Sequence, residues 1–333
     1  MALETTPGTT SGARSASRKI RWLGIAVAIV VALYSAGWFF VASKFETFLK
    51  DQLDGAGPAD IKCPGLATSG FPFLIGFTCD KTEIVDGGNS LTAGAFRAAA
   101  RIYSPGSAVV EVDGPANVSL ADGSSVTAEW KSMRSSFSVG FTRLKTFSAV
   151  GEDVNLNYLG DALYNAITAK ASHGEFHIRG NGNDLEAAVL ARNFELGAEG
   201  ADPILPVLST SLQITFADRI GVLEGQRLAA KPVRGDLTSF KIEMPDGLYG
   251  ELSGPYEIDS EGYISGEFKT HLEKLDLWEK HLLKLFPDGE STISGMTALL
   301  RGLAKDDKVT VNLMVDKGTI TLSMVPIGHI PPL

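Results

Sequence analysis

Apolar residues recur at every second position over most of the chain, the pattern of strands with one buried face. Val118 and Leu120 lead into an Asp122-Gly123 turn, and Val126, Ala128 and Trp130 resume the alternation. The same period appears in Phe137, Val139 and Phe141; in Val154, Leu156 and Tyr158; in Leu185, Ala187 and Val189; and in Leu212, Ile214 and Phe216. The last hairpin is the clearest: Val309, Val311, Leu313 and Val315 are separated by Asp316-Lys317-Gly318 from Ile320, Leu322 and Met324. Short turns make such strands antiparallel, since parallel neighbours need crossovers of about a dozen residues. One region departs from this period. Phe268, Leu272, Leu275, Trp278, Leu282 and Leu285 recur at intervals of four and three before Pro287, which predicts an amphipathic helix carrying His271 and His281 on its surface. A second helix is expected from Thr292 to Ala304, with Met296, Leu299, Leu300 and Leu303 on one face. The expected fold is therefore mainly β with a C-terminal helical pair, the strands forming one long antiparallel sheet, either curved or two-lobed. The helices are expected to cover its open side.

A different pattern occupies the N-terminal end. From Trp22 to Ser43 there is no charged residue, and about 20 helical residues at 1.5 Å each cross a bilayer core of about 30 Å. Arg14, Arg18, Lys19 and Arg21 precede the run, whereas Lys44, Glu46, Lys50 and Asp51 after it are of mixed sign. The positive-inside rule then puts the N-terminus in the cytoplasm and the body on the far side. Trp22 at one end and Tyr34, Trp38, Phe39 and Phe40 toward the other supply interfacial aromatics. The rival reading is a cleavable signal peptide, whose apolar region usually runs about 7 to 15 residues. The run is longer than that, and its best cleavage position, Val41-Ala42-Ser43, follows a bulky aromatic cluster. The expectation is a basic tail over 1–21, a single-pass anchor over 22–43 that makes the bilayer a partner, a membrane-proximal spacer over 44–60, and a β-rich body over 61–333.

Charge sharpens the division. Residues 1–21 carry four basic side chains and one acidic, so a net charge of −9 over 333 residues leaves −12 for the rest. An acidic body argues against nucleic acid as a partner, because phosphate binding needs clustered Lys and Arg. Cys63 and Cys79, the chain's two cysteines, stand 16 residues apart on the expected exported side, where disulfides persist, so a bridge is the natural pairing. Two free buried cysteines and a metal or redox pair are the alternatives, the latter without a CxxC spacing.

Between the cysteines lies Gly70-Phe71-Pro72-Phe73, a proline-marked strand entry leading to Leu74–Thr78. The anchor ending in Trp38, the Cys63…GFPF…Cys79 arrangement and the terminal Gly328-His329-Ile330-Pro331-Pro332-Leu333 together resemble the bacterial envelope family catalogued as domain of unknown function 2125. Position 71 holds phenylalanine where tyrosine is common in that family. The resemblance implies an inner-membrane-anchored, β-rich periplasmic protein with no established activity.

The chemistry-bearing motifs are missing. There is no G-x-S-x-G elbow, H-E-x-x-H, P-loop or dinucleotide fingerprint. His173-Gly174-Glu175-Phe176-His177 is the one tempting constellation, since on a strand two imidazoles and a carboxylate share a face. Phe176 and Ile178 alternate with them and read as the buried side, which turns the histidines to solvent. No metal, cofactor or catalytic residue is therefore expected. The leading expectation is a non-enzymatic protein that binds or handles lipid in an apolar β-groove for envelope maintenance, with Phe137, Val139, Phe141, Leu212, Ile214 and Phe216 as candidate lining. The alternative is a scaffold partner in an envelope protein complex without a ligand cavity.

Overall fold

The computed structural model describes residues 12–53, 60–140, 143–160, 166–198, 200, 203–226, 232–322 and 325–333. Helix α1 (Gly12–Leu53) runs unbroken through the charge-free stretch and past Ser43. It is long and apolar enough to cross a membrane. Among the described residues twenty strands in one antiparallel sheet follow: β1 (Asp60–Lys62), β2 (Ala67–Ser69), β3 (Leu74–Cys79), β4 (Thr82–Asp86), β5 (Asn89–Ala93), β6 (Phe96–Arg101), β7 (Ser104–Val112), β8 (Ala116–Ser119), β9 (Ser125–Glu129), β10 (Ser132–Val139), β11 (Leu144–Leu159), β12 (Ile167–Asn181), β13 (Asp184–Ala198), β14 (Leu205–Phe216), β15 (Val233–Glu243), β16 (Tyr249–Ile258), β17 (Ile264–Glu273), β18 (Lys308–Asp316), β19 (Thr319–Leu322) and β20 (Val325–His329). Helices α2 (Leu275–Leu285) and α3 (Glu290–Leu303) interrupt the series between β17 and β18.

From β11 to β20 each strand pairs with the next, a simple meander. At β11 the sheet forks. Its first half pairs with β10, and that arm continues through β7, β6, β3 and β2. Its second half pairs with β9, and this arm continues through β8, β5, β4 and β1. Successive strands of the two arms are halves of one longer strand, parted by Asp80-Lys81, Gly94-Ala95, Asp113-Gly114-Pro115 and Trp130-Lys131. These breaks line up as a seam. Backbone bonds cross it from Asp80 N to Pro64 O (2.9 Å), from Asp113 N to Ala95 O (2.8 Å) and from Lys131 N to Glu152 O (2.9 Å). Gly94 sits where a Cβ would meet Asp113 O at 2.7 Å.

The seam continues into the unbroken strands. Asp153 on β11 and Asn193 on β13 have positive φ, and Asn193 Nδ2 donates to Ser172 Oγ on β12 at 3.0 Å. On all three strands the apolar alternation shifts by one residue there: Phe147, Ala149 and Gly151 give way to Val154, Leu156 and Tyr158 on β11. An extra residue at one position of neighbouring strands behaves as an aligned set of bulges. The Cys63–Cys79 disulfide, with a Cα–Cα distance of 5.1 Å, closes the seam at the edge of the sheet.

The C-terminal part corrects one expectation. Phe268, Leu272 and His271 lie on β17, not on a helix, and α2 begins only at Leu275, after Lys274 in the left-handed region (φ 62°). A spacing of four fits a period of two as well as 3.6. Pairing of Phe268 with Leu313 and of Leu272 with Val309 decides in favour of strand. The helix ends at Leu285 before Pro287, and α3 falls where the second helix is expected. In the final hairpin, Lys317 and Gly318 both take positive φ between the paired Asp316 and Thr319, a two-residue turn matched to strand twist. Met324 lies outside the described residues.

Two buried clusters occupy this half. Val233, Leu237, Tyr256, Phe268 and Val315 form one, with Leu212, Ile214, Phe216 and Ile330 against it. Leu275, Leu300, Val309 and Leu322 form the other, where α2 and α3 cover β18 and β19. The indole of Trp278 donates to Tyr249 O at 3.1 Å and fixes α2 to the sheet.

Candidate functional site: an uncovered apolar sheet face

Directly opposed residues in an antiparallel ladder project to the same face. Register therefore traces that face from strand to strand without reference to sheet shape. One row runs Phe77, Ala98, Val110, Ser135, Ala149, Phe176, Val189, Leu212, Phe240, Leu252, Thr270, Val311, from β3 to β18. The parallel row two residues away runs Ile75, Ala100, Ala108, Phe137, Phe147, Ile178, Ala187, Ile214, Leu237. The second arm has its own: Ile61, Ile84, Leu91, Val118, Val126, Tyr158, Ile167, Ala198. Only Ser135 and Thr270 interrupt these rows with a polar side chain.

Coverage differs sharply along the face. Among the described residues eighteen hydrophobic side chains are buried, and fourteen of them lie from Leu185 onward. Before Leu185 the buried four are Trp38, Ala42, Cys79 and Ala93. Phe176 and Val189, central in the long row, are 40% and 39% exposed. Phe147 packs against Phe176, ring centroids 6.1 Å apart, and beyond Ile178 the short 3-10 helix Ile220–Glu224 covers the end of the face, where a Cβ on Gly180 would collide with Ile220 Cδ1.

Four of the six sequence candidates fall on this face. Phe137 and Ile214 share a row through Phe147, Ile178 and Ala187, Leu212 is in the adjoining row, and Phe216 pairs with the buried Leu185. Leu212, Ile214 and Phe216 also pack against the closed core, so they mark where the open face ends. Val139 sits past a register shift opposite Leu144, 44% exposed. Phe141 lies outside the described residues. Sequence reading missed Phe147, Phe176 and Val189 as lining. Their alternation is visible in the sequence, but it reads Phe176 as the buried side, and the structure leaves that ring exposed.

The opposite face is polar. Thr78, Arg97, Glu111, Arg134, Val150, Glu175 and Leu190 form one of its rows. Arg134 Nη2 lies 2.6 Å from Glu111 Oε1, and Arg97 also pairs with Glu111, at 3.5 Å. The histidine constellation belongs here. His173 Nδ1 is 2.8 Å from Glu152 Oε1 and its Nε2 is 2.6 Å from Glu175 Oε1, while His177 Nε2 is 2.9 Å from Glu175 Oε2. Hydrogen bonds to Glu175 and then Glu152 raise the His173 pKa, and the two imidazoles lower that of Glu175. Among the described residues, no group of three His, Cys, Asp or Glu side chains is placed to hold a metal ion. A cavity of about 550 Å³ is lined by His177, Arg179, Gln213 and Thr238 together with Ile178, Ala187 and Ile214 of the apolar row.

Helix α1 meets the sheet at one end of this face. The Trp38 indole donates to Leu74 O at 3.0 Å, the Tyr34 hydroxyl donates to Pro72 O, and Phe45 stands 6.3 Å from Phe77, the first residue of the long row. Trp38 is also where the match to a known family begins. The family model described as "Uncharacterized protein conserved in bacteria (DUF2125)" matches residues 38–331. The chain belongs to this family. Neither the curated proteins nor the solved structures contain a match to it. The DUF2125 match thus takes in the docking end of α1, the GFPF loop, both arms and the closed C-terminal half.

Proposed function

We propose that this DUF2125 protein is a non-enzymatic, membrane-anchored envelope protein whose open apolar sheet face takes up the acyl chains of lipid. The body lies on the periplasmic side of the inner membrane and the basic tail in the cytoplasm. One observation carries the reading: an apolar face continuous over twelve strands is sealed by helices and core in its C-terminal part, whereas Phe176 and Val189 at its middle stay exposed. An uncovered apolar surface of this extent is a binding surface for an apolar partner. At about 4.8 Å per strand, twelve strands extend on the order of 50 Å, more than the roughly 15 Å of acyl chain in one leaflet of a 30 Å core. Such a face accommodates several acyl chains, or carries one away from the membrane. Binding of this kind needs apolar area and no reactive groups, in keeping with the missing catalytic motifs.

Mass spectrometry of the full chain purified in mild detergent tests the proposal. Phospholipid should remain with the wild-type protein after exchange into fresh detergent. A Phe176→Asp and Val189→Asp double variant should lose it while keeping its melting temperature. Equal lipid content in the two proteins would overturn the assignment to this face.

A further inference from the structure

We infer that the GFPF loop (70–73) and the β6–β7 turn beside it are immersed in the outer leaflet of the membrane, so that the β3 edge of the apolar face opens directly among acyl chains. The inference rests on reading α1 as a membrane anchor, and it comes from depth along that helix. Tyr34 is twelve residues beyond Trp22, about 18 Å at 1.5 Å per residue. Trp38 is at about 24 Å and Phe45 at about 34 Å on the same scale. With Arg21 and Trp22 at the cytoplasmic surface, a hydrocarbon core of about 30 Å ends between Trp38 and Phe45. The loop is bonded to the helix below that level: Pro72 O accepts from Tyr34 and Leu74 O from Trp38. Helix tilt shortens the projected rise and sets the loop deeper still.

Its chemistry suits hydrocarbon. Phe73 is 65% and Phe71 46% exposed, and on the neighbouring turn Tyr103 is 73% and Ile102 41% exposed. In water this is an unfavourable cluster of large apolar side chains. Within a bilayer core backbone polar groups must be satisfied inside the protein, and four carbonyls at the loop have such partners. Gly70 O accepts from Leu74 N at 2.8 Å and Phe73 O from Ile102 N at 3.1 Å. Pro72 O and Leu74 O take the two α1 side-chain donors, and Pro72 has no N–H to satisfy. Arg101, the charge nearest the tip, pairs with Leu74 and is exposed. At that level, about 6 Å below the surface, its side chain reaches the headgroups. Above, Glu46 accepts from Thr68 Oγ1 at 3.3 Å and pairs with Lys50, polar contacts that belong to the headgroup zone.

The full chain reconstituted in phosphatidylethanolamine and phosphatidylglycerol vesicles, with a fluorescent amino acid placed singly at 27, 73 or 120, tests this by quenching. Val27 lies within α1, and Leu120 is exposed on the turn between β8 and β9. Doxyl-labelled lipid should quench positions 27 and 73 strongly and leave 120 unchanged, whereas aqueous iodide should quench only 120. Quenching of 27 by lipid with 73 open to iodide would overturn the immersed loop and leave the anchor standing. Protection of 73 from both quenchers would assign the patch to a protein contact and equally overturn it. Loss of lipid quenching at 27 would remove the anchor itself, and the loop's immersion with it.

Discussion

The first arm and central strands of the sheet and its C-terminal half have the same alternating pattern, yet they treat their apolar faces in opposite ways. In the C-terminal half, β14 to β19 enclose Val233, Leu237, Tyr256, Phe268 and Val315, and α2 and α3 seal the remainder through Leu275 and Leu300. In the middle of β11, β12 and β13 the corresponding rows stay open, with Phe176 at 40%, Val189 at 39% and Leu156 at 39% exposure, and only at Leu185 does the face close. The closed half supplies stability from its own sequence. The open half has apolar area that its own chain does not use, the area that the proposed lipid would cover. Apolar periodicity thus specifies which face of a strand is apolar, and coverage decides whether that face is core or site.

Substitutions should separate the two halves. Leu275, 1% exposed at the start of α2, lies in a packed core where Leu→Ala replacements cost about 2–5 kcal/mol. Leu275→Ala should therefore produce a large fall in the denaturation midpoint without altering bound lipid. Phe176→Ala should do the reverse, a small change in midpoint with a clear loss of lipid. A large destabilisation by Phe176→Ala would show that the open face is core after all.

The seam gives the next effect in size. The Cys63–Cys79 bridge closes a loop of 16 residues, worth about 3 kcal/mol in the chain-entropy model. Its removal by Cys63→Ser with Cys79→Ser should loosen the first two split strands, seen as faster amide exchange in β1–β4, while β14–β19 keep their protection. Uniform loss of protection would mean that the halves unfold as one unit. Smaller again is Asp153→Val: a β-branched residue at positive φ costs about 1–2 kcal/mol, to be read from the melting temperature beside Asp153→Gly, which removes the conformational penalty.

The smallest effect is electrostatic. The His173 pKa is raised in the folded protein, so its contribution to stability is fully present below the unfolded value of about 6.5 and disappears as pH rises through the higher folded value. Glu175 is lowered; its contribution is present above about 4.3 and disappears as pH falls through the lower folded value. The melting-temperature gap between wild type and His173→Gln should be widest between those two pH values and close above them. A gap independent of pH would show that the imidazole acts through packing.

Much of this fold is legible in the chain. The charge-free run, the two cysteines and the period-two triplets marked α1, the bridge and most long strands. The start of α2 was not legible, because Phe268 and Leu272 satisfy both periods and only pairing with β16 and β18 chooses between them. Nor was the seam, since Gly94-Ala95 and Trp130-Lys131 look like ordinary strand ends until their neighbours align. Val139, Leu212 and Ile214 could be picked as apolar-face residues, but alternation alone places nothing over them or beside them. Phe176 fails for the same reason: the missing cover is a property of the whole sheet.

Photocrosslinking in intact cells tests the central claim most directly. A benzophenone amino acid at Val189 faces the open rows, and the same group at Leu190 faces the polar rows. Phospholipid adducts at 189 and none at 190 are the predicted result. Equal labelling at both positions, or protein adducts alone at 189, would contradict the assignment of this face to lipid.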